Sequence, residues 1–283
     1  MGRWSEAEVL KLTGHPNTYT LTKFLAEHLI MEKEEIPVTI IRPSIISASL
    51  RYPIPGWIDS AAAFAAFVAS IGGGVLHVMD GDMNVMLDIV PVDLVAEVII
   101  NETLFTKSMS VKISLSADGE NKFITEAPPP ARIVTAAATL KHSIRGSTII
   151  KTITDFFSQK SGKALGIPYI GPRCFKYHIL NFTAHTVPLG LAGYYYWFIG
   201  NQRMTKLIGN MSLLVATLQR VFPYFTNRTF RFQPERDGLF EQLEKKNRIA
   251  GIGGKEQEWD GVEYVRLVCQ GVDKHLLSRS RNG

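Results

Sequence analysis

Cysteine is scarce in this sequence, and its scarcity limits the classes of protein to which the chain can belong. Cys174 and Cys269 do not form a Cys-x-x-Cys motif, and no histidine cluster lies beside either of them. A small secreted module depends on several disulfides, and a structural zinc site needs a close set of cysteine and histidine ligands. The sequence therefore argues against both, and it predicts a reducing, intracellular environment and no metal site.

The sequence also lacks a targeting segment and a dense block of one charge. Its start, MGRWSEAEVLKL, does not have the basic-then-apolar order of a secretory signal. The formal net charge of +5 comes from 31 lysines and arginines that are scattered among 26 acidic residues. A scattered positive excess favours an anionic ligand or a membrane surface, and it does not predict binding to nucleic acid.

A glycine-rich phosphate loop is a third absence. No Gly-x-Gly-x-x-Gly occurs, and the glycine clusters at residues 72–74 and 251–254 have the wrong spacing for one. In dinucleotide-binding folds this loop and the helix after it hold the pyrophosphate. We therefore expect that the chain by itself does not hold a dinucleotide tightly.

The apolar spacing predicts a helix followed by a strand near the start of the chain. Leu21 and Leu25 belong to a helical pattern over residues 18–33, and Asn17 is a typical residue before a first helical turn. Residues 37–43 are a β-branched run closed by a proline, which is typical of a buried parallel strand. A helix, a short loop and a strand are half of a βαβ unit, so the pattern predicts an α/β fold.

Weaker patterns continue along the chain. They predict a helix over residues 57–71, a strand within 75–85, a turn at 88–93, a helix from there to about 104, and a strand at 110–115. Residues 118–172 show no clear pattern, and three prolines at 128–130 predict a linker. Residues 177–202 contain no Asp, Glu, Lys or Arg. This change of composition predicts a second, mostly helical domain.

One tyrosine and one lysine on the first predicted helix are candidates for catalysis. Tyr19 and Lys23 are four residues apart, so they lie on one helical face. A free phenol holds its proton tightly at neutral pH, and a nearby ammonium group stabilises the phenolate. Tyr19 can then protonate a carbonyl oxygen while a hydride reaches the carbonyl carbon. The spacing alone is weak, because about 0.5 chance matches are expected in a chain of this composition.

The surrounding motifs resemble those of the alcohol-forming fatty acyl-CoA reductases, which are extended short-chain dehydrogenases with a helical C-terminal domain. In order, the motifs are Asn17-Thr18-Tyr19-Thr20-x-Thr22-Lys23, Ala26-Glu27, Arg42-Pro43-Ser44, Pro55-Gly56-Trp57-Ile58-Asp59 and Pro91-Val92-Asp93. Later residues resemble the C-terminal domain of that family, namely His185-Thr186-Val187-Pro188, Thr229-Phe230-Arg231-Phe232, and Trp259-Asp260-x-x-x-Tyr264 followed by Gly271. Five motifs in order are far more specific than the tyrosine and lysine alone.

The resemblance implies a fold in two parts. Residues 1–172 would form the rear part of a doubly wound parallel-sheet (Rossmann-type) domain, in which 118–172 stay unassigned. Residues 173–283 would form the helical C-terminal domain. The phosphate loop of the family lies upstream of the tyrosine, so we expect this chain to be the rear portion of a longer reductase.

The resemblance also implies an activity and a site. The activity would be reduction of a long-chain fatty acyl-CoA to a fatty alcohol with NADPH, in wax and ether lipid synthesis. Tyr19 would be the proton donor, Lys23 its partner and a ligand of the cofactor ribose, and Pro43-Ser44-Ile45 the segment beside the nicotinamide. We expect Asp59 to fix a loop and Asp93 to begin the helix after Pro91, as short carboxylates often do.

Two alternatives to this activity stay open. The chain can be an extended short-chain reductase or epimerase that acts on another carbonyl, or a catalytically inactive, membrane-associated form. The uncharged stretch at 177–202 favours a helix on a membrane surface, or one that lines an acyl-chain tunnel, over a plain core helix. Its strongly apolar part, Val187 to Ile199, is shorter than the ~20 residues that a span needs. We expect a membrane-associated intracellular protein of the peroxisome or the endoplasmic reticulum.

Overall fold

The computed structural model describes residues 5–32, 37–110, 112–115, 121–124, 131–138, 142–232 and 260–278. In chain order the first elements are α1 (Glu6–Thr13), α2 (Thr18–Met31), β1 (Thr39–Pro43), β2 (Ile45–Ser47), α3 (Ala63–Gly72), β3 (Val78–Asp80), β4 (Met86–Leu87), β5 (Ile89–Pro91), α4 (Val92–Ser110), β6 (Lys112–Leu115), β7 (Asn121–Ile124) and β8 (Arg132–Ala136). The later elements are β9 (Ile144–Arg145), α5 (Gly146–Ser161), β10 (Tyr169–Gly171), α6 (Phe175–Asn181), a π-helical turn (Phe182–Thr186), α7 (Val187–Phe198), α8 (Gln202–Val221), α9 (Pro223–Thr226), α10 (Gly261–Val272) and a second π-helical turn (Asp273–Leu277).

The chain divides into two compact units. The first unit comprises residues 1–42 and 95–136, and the second comprises residues 43–94 and 137–283. Helices and short strands occur in both, so the predicted mixed α/β class is confirmed. The doubly wound arrangement stays a prediction, because the described strands pair only two by two. The predicted domain boundary at residue 172 stays a prediction as well.

The first unit holds α1 and α2, most of α4, and two pairs of strands. Strand β1 pairs with β8, and the Arg132 N–H donates a hydrogen bond of 2.9 Å to the Val38 carbonyl beside this pair. Strands β6 and β7 pair antiparallel. The guanidinium of Arg132 lies 3.0 Å from the buried carboxylate of Glu102, which ties β8 to α4. A buried carboxylate requires such a partner, because an isolated charge away from water is costly.

The second unit is built on parallel strand pairs and a cluster of helices. Strand β2 pairs parallel with β5, and β3 pairs parallel with β10, while β4 and β9 are antiparallel. Helices α3, α5 and α10 pack on one another. Their fully buried apolar side chains form the core, namely Phe64, Val68 and Ile71 from α3, Ile149, Ile150 and Ile153 from α5, and Val265, Val268 and Val272 from α10. Such a cluster is the main source of stability for the unit.

A helical hairpin forms the rest of the second unit. Helix α6, the first π-helical turn and α7 follow one another without a break from Phe175 to Phe198. Helix α8 then runs back along α7 and contacts it extensively. The predicted helical character of this part of the chain is confirmed.

The predicted elements agree with the structure in type more often than in boundaries. The predicted helix at 18–33 is α2, and the predicted strand at 37–43 is β1. However, β1 is half-buried to exposed rather than buried, since it pairs with a single described strand, β8. The turn predicted at 88–93 is wrong for 89–91, which form β5 in a parallel pair with β2. The proline cluster at 128–130 lies outside the described residues.

The predicted start of the third helix is also wrong by several residues. Helix α3 begins at Ala63 rather than at Trp57. The reason is a closed loop, in which the Ser49 N–H donates to the Trp57 carbonyl at 3.0 Å and the Ser49 Oγ accepts from the Trp57 N–H at 3.1 Å. These bonds hold Trp57 in the loop, and α3 begins only after the loop ends, at Ala63.

Candidate active site

The candidate site in the first unit is built on the first two turns of α2. Asn17 caps this helix, because its side-chain oxygen accepts a hydrogen bond of 2.9 Å from the Thr20 N–H. Leu21 is buried and fixes the rotation of the helix about its axis. With the start and the rotation fixed, Tyr19 and Lys23 are placed one turn apart on the same face.

Tyr19 and Lys23 lie side by side. The Lys23 ammonium is 5.7 Å from the centroid of the Tyr19 ring, and 55% of the tyrosine is exposed. A proton donor for a bound substrate must be accessible, and a cation beside it must be close enough to act on its charge. The exposure of Tyr19 meets the first condition, and the Lys23 ammonium lies over the ring of the tyrosine. The catalytic role of the pair stays a prediction.

An ion pair connects α2 to β1 and explains two of the sequence motifs. The Arg42 Nε donates to a Glu27 carboxylate oxygen at 3.0 Å. This hydrogen bond holds the pKa of Glu27 below its ordinary value. Glu27 and Arg42 belong to the Ala26-Glu27 and Arg42-Pro43-Ser44 motifs, so these motifs orient the tyrosine helix against its strand.

The predicted cofactor segment, Pro43-Ser44-Ile45, is held by an aspartate that the sequence did not single out. The Ser44 hydroxyl donates to Asp88 Oδ1 at 2.5 Å, and the Ile45 N–H donates to the Asp88 carbonyl at 3.2 Å. The same Oδ1 accepts from the Ala138 N–H at 2.9 Å. Asp88 is buried and immediately precedes β5. Sequence reasoning took this position for part of a turn, and its only signal was an acidic residue next to an apolar run.

The predicted site residues therefore fall in both units. Tyr19 and Lys23 belong to the first unit, whereas Pro43, Ser44 and Ile45 belong to the second. Within each unit the structure brings the predicted residues together.

The prediction for Asp93 needs a correction. Its side chain does not begin the helix after Pro91, although the residue lies in the first turn of α4. Instead, its two carboxylate oxygens accept the N–H groups of three successive residues, Leu50, Arg51 and Tyr52, at 2.9, 2.8 and 3.1 Å. These amides follow β2 and need acceptors, so Asp93 fixes the loop. The carboxylate assigned to the loop, Asp59, is exposed.

The motifs near the C-terminus meet the same loop. The Tyr264 hydroxyl, buried on α10, donates to the Ala48 carbonyl at 2.6 Å. Gly271 lies against Gly56, and a Cβ built on Gly271 would be 1.9 Å from the Gly56 carbonyl oxygen. Both glycines are thus required by a close backbone contact between distant parts of the sequence. The resemblance pointed to these positions, but the sequence could not show that they touch.

Two observations concern the uncharged stretch. A small apolar pocket of the second unit is lined by residues of α3, the β3 to β4 region and α5, among them Phe67, Met79, Leu87 and Ile150. Helices α6 to α8 do not contribute to it. Among the described helices, none combines the length and the apolar character that crossing a bilayer requires.

Comparison with known proteins shows which families the chain is similar to. The model of the male sterility protein family, an NAD-binding model, matches residues 3–99, which include Tyr19, Lys23 and the segment 43–45. The chain is 30% identical to the fatty acyl-CoA reductase wat of Drosophila melanogaster over 266 residues, which are 90% of this chain and 47% of that protein. It is 26% identical to fatty acyl-CoA reductase 1 of Xenopus laevis and 27% identical to that of Homo sapiens, in each case over 96% of this chain and 50% of the relative.

The similarity thus extends over nearly all of the chain, and a nicotinamide-binding family accounts for the part that carries the candidate pair. The chain spans about half the length of the curated relatives it matches. By sequence, the chain is similar to fatty acyl-CoA reductases over 90–96% of its own length.

Proposed function

We propose that this protein reduces a long-chain fatty acyl-CoA to a fatty alcohol, through the aldehyde, with NADPH as the hydride donor. The observation that carries the proposal is the Tyr19–Lys23 pair on α2, which lies inside the region matched by the NAD-binding family model. The relatives at 25–30% identity are named fatty acyl-CoA reductases, which supports the substrate class.

Each of the two reductions requires one proton for the carbonyl oxygen. NADPH, when bound, supplies a hydride to the carbonyl carbon. Tyr19 gives its phenolic proton to the carbonyl oxygen of the thioester, and the Lys23 ammonium stabilises the phenolate that remains. Loss of CoA as the thiol leaves the aldehyde. A second NADPH, exchanged for NADP⁺, would supply the hydride for the aldehyde. Tyr19, once it has regained a proton from solvent, protonates the aldehyde oxygen in this second reduction.

The cofactor segment is suited to a rigid contact. We propose that Lys23 also binds the ribose and that Pro43, Ser44 and Ile45 lie beside the nicotinamide. The bonds from Ser44 and Ile45 to Asp88 support this assignment, because they fix the backbone on which a flat ring would pack. A pre-ordered segment loses little conformational entropy on binding.

A membrane surface and a location at the peroxisome or the endoplasmic reticulum belong to the same proposal. A long-chain acyl group and the fatty alcohol are both apolar enough to partition into a bilayer. An enzyme at the surface of the bilayer meets its substrate and releases its product there.

Activity is tested with the full-length product of the gene that encodes this chain. Palmitoyl-CoA and NADPH are supplied, and hexadecanal and hexadecanol are measured by gas chromatography. Tyr19→Phe should lower the rate by roughly 10²–10⁴-fold, which is the usual contribution of a general acid. Tyr52→Phe, at another exposed tyrosine, is the matched control and should retain the rate.

The proposal fails if the wild-type protein forms no more aldehyde or alcohol than Tyr19→Phe. Reduction of other carbonyl compounds in place of the acyl-CoA would favour the alternative of a different short-chain reductase. A parallel assay with NADH in place of NADPH tests the choice of cofactor.

A further inference from the structure

The distribution of charge in the second unit is strongly uneven. Residues 156–234 contain no Asp or Glu and nine Lys or Arg, whereas the other residues hold 22 basic and all 26 acidic side chains. All nine basic residues are exposed. Among the described residues, Lys160 pairs with Asp273 and Arg173 with Asp80, both acids from elsewhere in the unit. The positive excess, which we predicted to be scattered along the chain, is therefore carried by this one segment, because the other residues have more acidic than basic side chains.

The end of α7 exposes a cluster of apolar side chains within this basic segment. We call this cluster the aromatic tip, and its members are Leu191, Tyr194, Tyr195, Trp197, Phe198 and Ile199. Trp197 is 65% exposed and Phe198 is 73% exposed. The Tyr194 ring contacts both, with centroids 5.9 Å from Trp197 and 6.4 Å from Phe198. Large contiguous apolar patches of this kind mark interaction surfaces.

Exposed basic side chains follow the aromatic tip closely in the chain. Gly200 and Asn201 turn the chain after α7, and the first two turns of α8 then carry Arg203 and Lys206, both exposed. Leu207 is also exposed and follows Lys206. Aromatic rings next to lysine and arginine are typical of segments at the boundary between headgroups and acyl chains, where the rings insert and the cations bind phosphate.

We infer that the aromatic tip, with Arg203 and Lys206, docks the protein onto the surface of a membrane that contains anionic lipids. This inference rests on the membrane partner of the proposed function and deepens it by naming the surface and the lipid charge. An anionic headgroup layer complements a segment that has no acidic residue. A second copy of the chain would instead bring Arg203 and Lys206 towards the same cations on its partner, since the segment supplies no acid to pair with them.

Vesicle flotation of the purified 283-residue chain tests the inference. Vesicles of phosphatidylcholine alone are compared with vesicles that also contain phosphatidylserine. Binding should be strong only with phosphatidylserine and should weaken as salt is raised. Phe198→Ser should reduce the partition coefficient by about fivefold to tenfold, because an apolar ring no longer enters the bilayer. Phe24→Ser, at an exposed phenylalanine of the first unit, is the matched control and should leave binding unchanged.

The electrostatic part is tested by a second matched pair. Lys206→Glu changes the local charge by two, so it should reduce binding to phosphatidylserine vesicles by about thirtyfold, at roughly 1 kcal/mol for each charge near the surface. Lys11→Glu changes the net charge of the protein equally at an exposed position on α1 and should change binding by less than about twofold. Circular dichroism of each variant confirms that the fold is kept.

Tryptophan fluorescence locates the contact. Phosphatidylserine vesicles should shift the emission to shorter wavelength, and brominated lipids should quench it. Trp197→Phe keeps an apolar ring at the tip, so it should retain binding while losing most of the shift and the quenching. This readout separates the tip from any other contact of the chain with lipid.

The inference is overturned if the wild-type chain does not float, or if Phe198→Ser and Phe24→Ser bind alike. It is also overturned if the tip variants abolish a dimer seen by analytical ultracentrifugation while vesicle binding stays the same. None of these measurements depends on catalysis. A protein that binds vesicles through the tip but reduces no acyl-CoA would refute the proposed activity and leave the docking surface standing.

Discussion

His185 is a buried histidine whose neighbours hold it in one neutral form. It is 3% exposed, and its Nε2 accepts the His77 N–H at 2.9 Å. The ring proton is therefore on Nδ1, which donates to the Asn181 side-chain oxygen at 2.8 Å. Gln219 on α8 donates to the same oxygen. Burial, with a smaller contribution from the His77 ring, lowers the pKa of His185 to about 4. This residue joins the helical hairpin to β3.

The stability of the protein should fall between pH 7 and pH 4 through His185. In the unfolded chain the ring takes up a proton near its ordinary pKa of about 6.5, whereas the folded ring does so only at about 4. Between these values the unfolded state binds more protons, so the free energy of unfolding decreases as the pH is lowered, by about 2–3 kcal/mol. Urea unfolding of the wild type and of His185→Gln at pH 7 and pH 4.5 measures this contribution.

Carboxylates also titrate in this range, so the informative quantity is the difference between the two proteins. His185→Gln should lose less stability than the wild type on acidification, since glutamine does not titrate. An equal loss in both would show that His185 does not contribute to the pH dependence.

Asp93 should be among the more sensitive single residues of the second unit. Asp93→Ala leaves the N–H groups of Leu50, Arg51 and Tyr52 without their acceptor, and we expect it to lower the free energy of unfolding by about 2–4 kcal/mol. Asp59→Ala, at an exposed position, should change it by less than about 0.5 kcal/mol. Thermal unfolding followed by circular dichroism compares the two, and equal melting temperatures would contradict the role given to Asp93.

Single residues show how far sequence reasoning reaches. Tyr19 and Lys23 could be placed together because helical periodicity is local and Asn17 marks where the helix begins. The partners of Asp93 could not be predicted, because they lie about forty residues earlier in the chain. Asp88 was missed for the same reason. A carboxylate in a sequence shows its charge but not which distant amides it accepts.

At the scale of elements, α10 and the loop after β2 meet through a close backbone contact between Gly271 and Gly56. Gly271→Ala would place a Cβ at 1.9 Å from the Gly56 carbonyl, so the helix or the loop must move. We expect a loss of about 3 kcal/mol or more in the free energy of unfolding. Gly209→Ala, in α8 with open space around the added carbon, is the matched control and should be neutral or stabilising by up to about 1 kcal/mol.

Urea unfolding of both glycine variants measures these effects. If both variants changed the free energy of unfolding by a similar small amount, the loop would be able to move without loss of stability. The close contact would then have no structural importance. Tyr264→Phe should lower the free energy of unfolding by less than Gly271→Ala does, because it removes only the hydrogen bond to Ala48.

The boundaries of a helix or strand could be predicted where the residues that set them lie close together in the sequence. The helix α2 and the strand β1 were predicted because periodicity, a cap and a proline all act within a few residues. The late start of α3 was not predicted, because it depends on a hydrogen bond between Trp57 and Ser49, which are eight residues apart. Residues 118–172 showed no pattern, yet they contain β7, β8, β9, α5 and β10. Short strands of two to five residues carry too little alternation to be recognised.

At the scale of the whole molecule, the sequence similarity and the candidate pair point to a nicotinamide cofactor, while the sequence has no glycine-rich phosphate loop. We expect the purified 283-residue chain to bind NADPH no more tightly than about 1 mM, because most of the affinity for a dinucleotide comes from its phosphates. Isothermal titration calorimetry measures this. Saturable binding at micromolar NADPH that Lys23→Met weakens would contradict the expectation, since residues of this chain would then suffice.

The division into two units was beyond the sequence for a physical reason. The resemblance implied a boundary at residue 172, and the uncharged stretch at 177–202 favoured a second domain after it. The compact units instead combine segments that are far apart in the chain, 1–42 with 95–136 and 43–94 with 137–283. Composition reports the local environment of a segment and does not report which distant segment packs against it.

The hydrogen bond between Tyr264 and Ala48 joins residues 216 positions apart, and this separation has a consequence for how the protein is made. A ribosome adds roughly 5–20 residues per second, so α10 emerges about 10–40 s after the loop that it covers. During that interval the loop around Gly56 and the apolar face of α3 have no α10 to pack on. The nascent second unit must therefore wait, with part of its core exposed, until Val272 at the end of α10 has left the exit tunnel, and chaperones have access to it during those seconds.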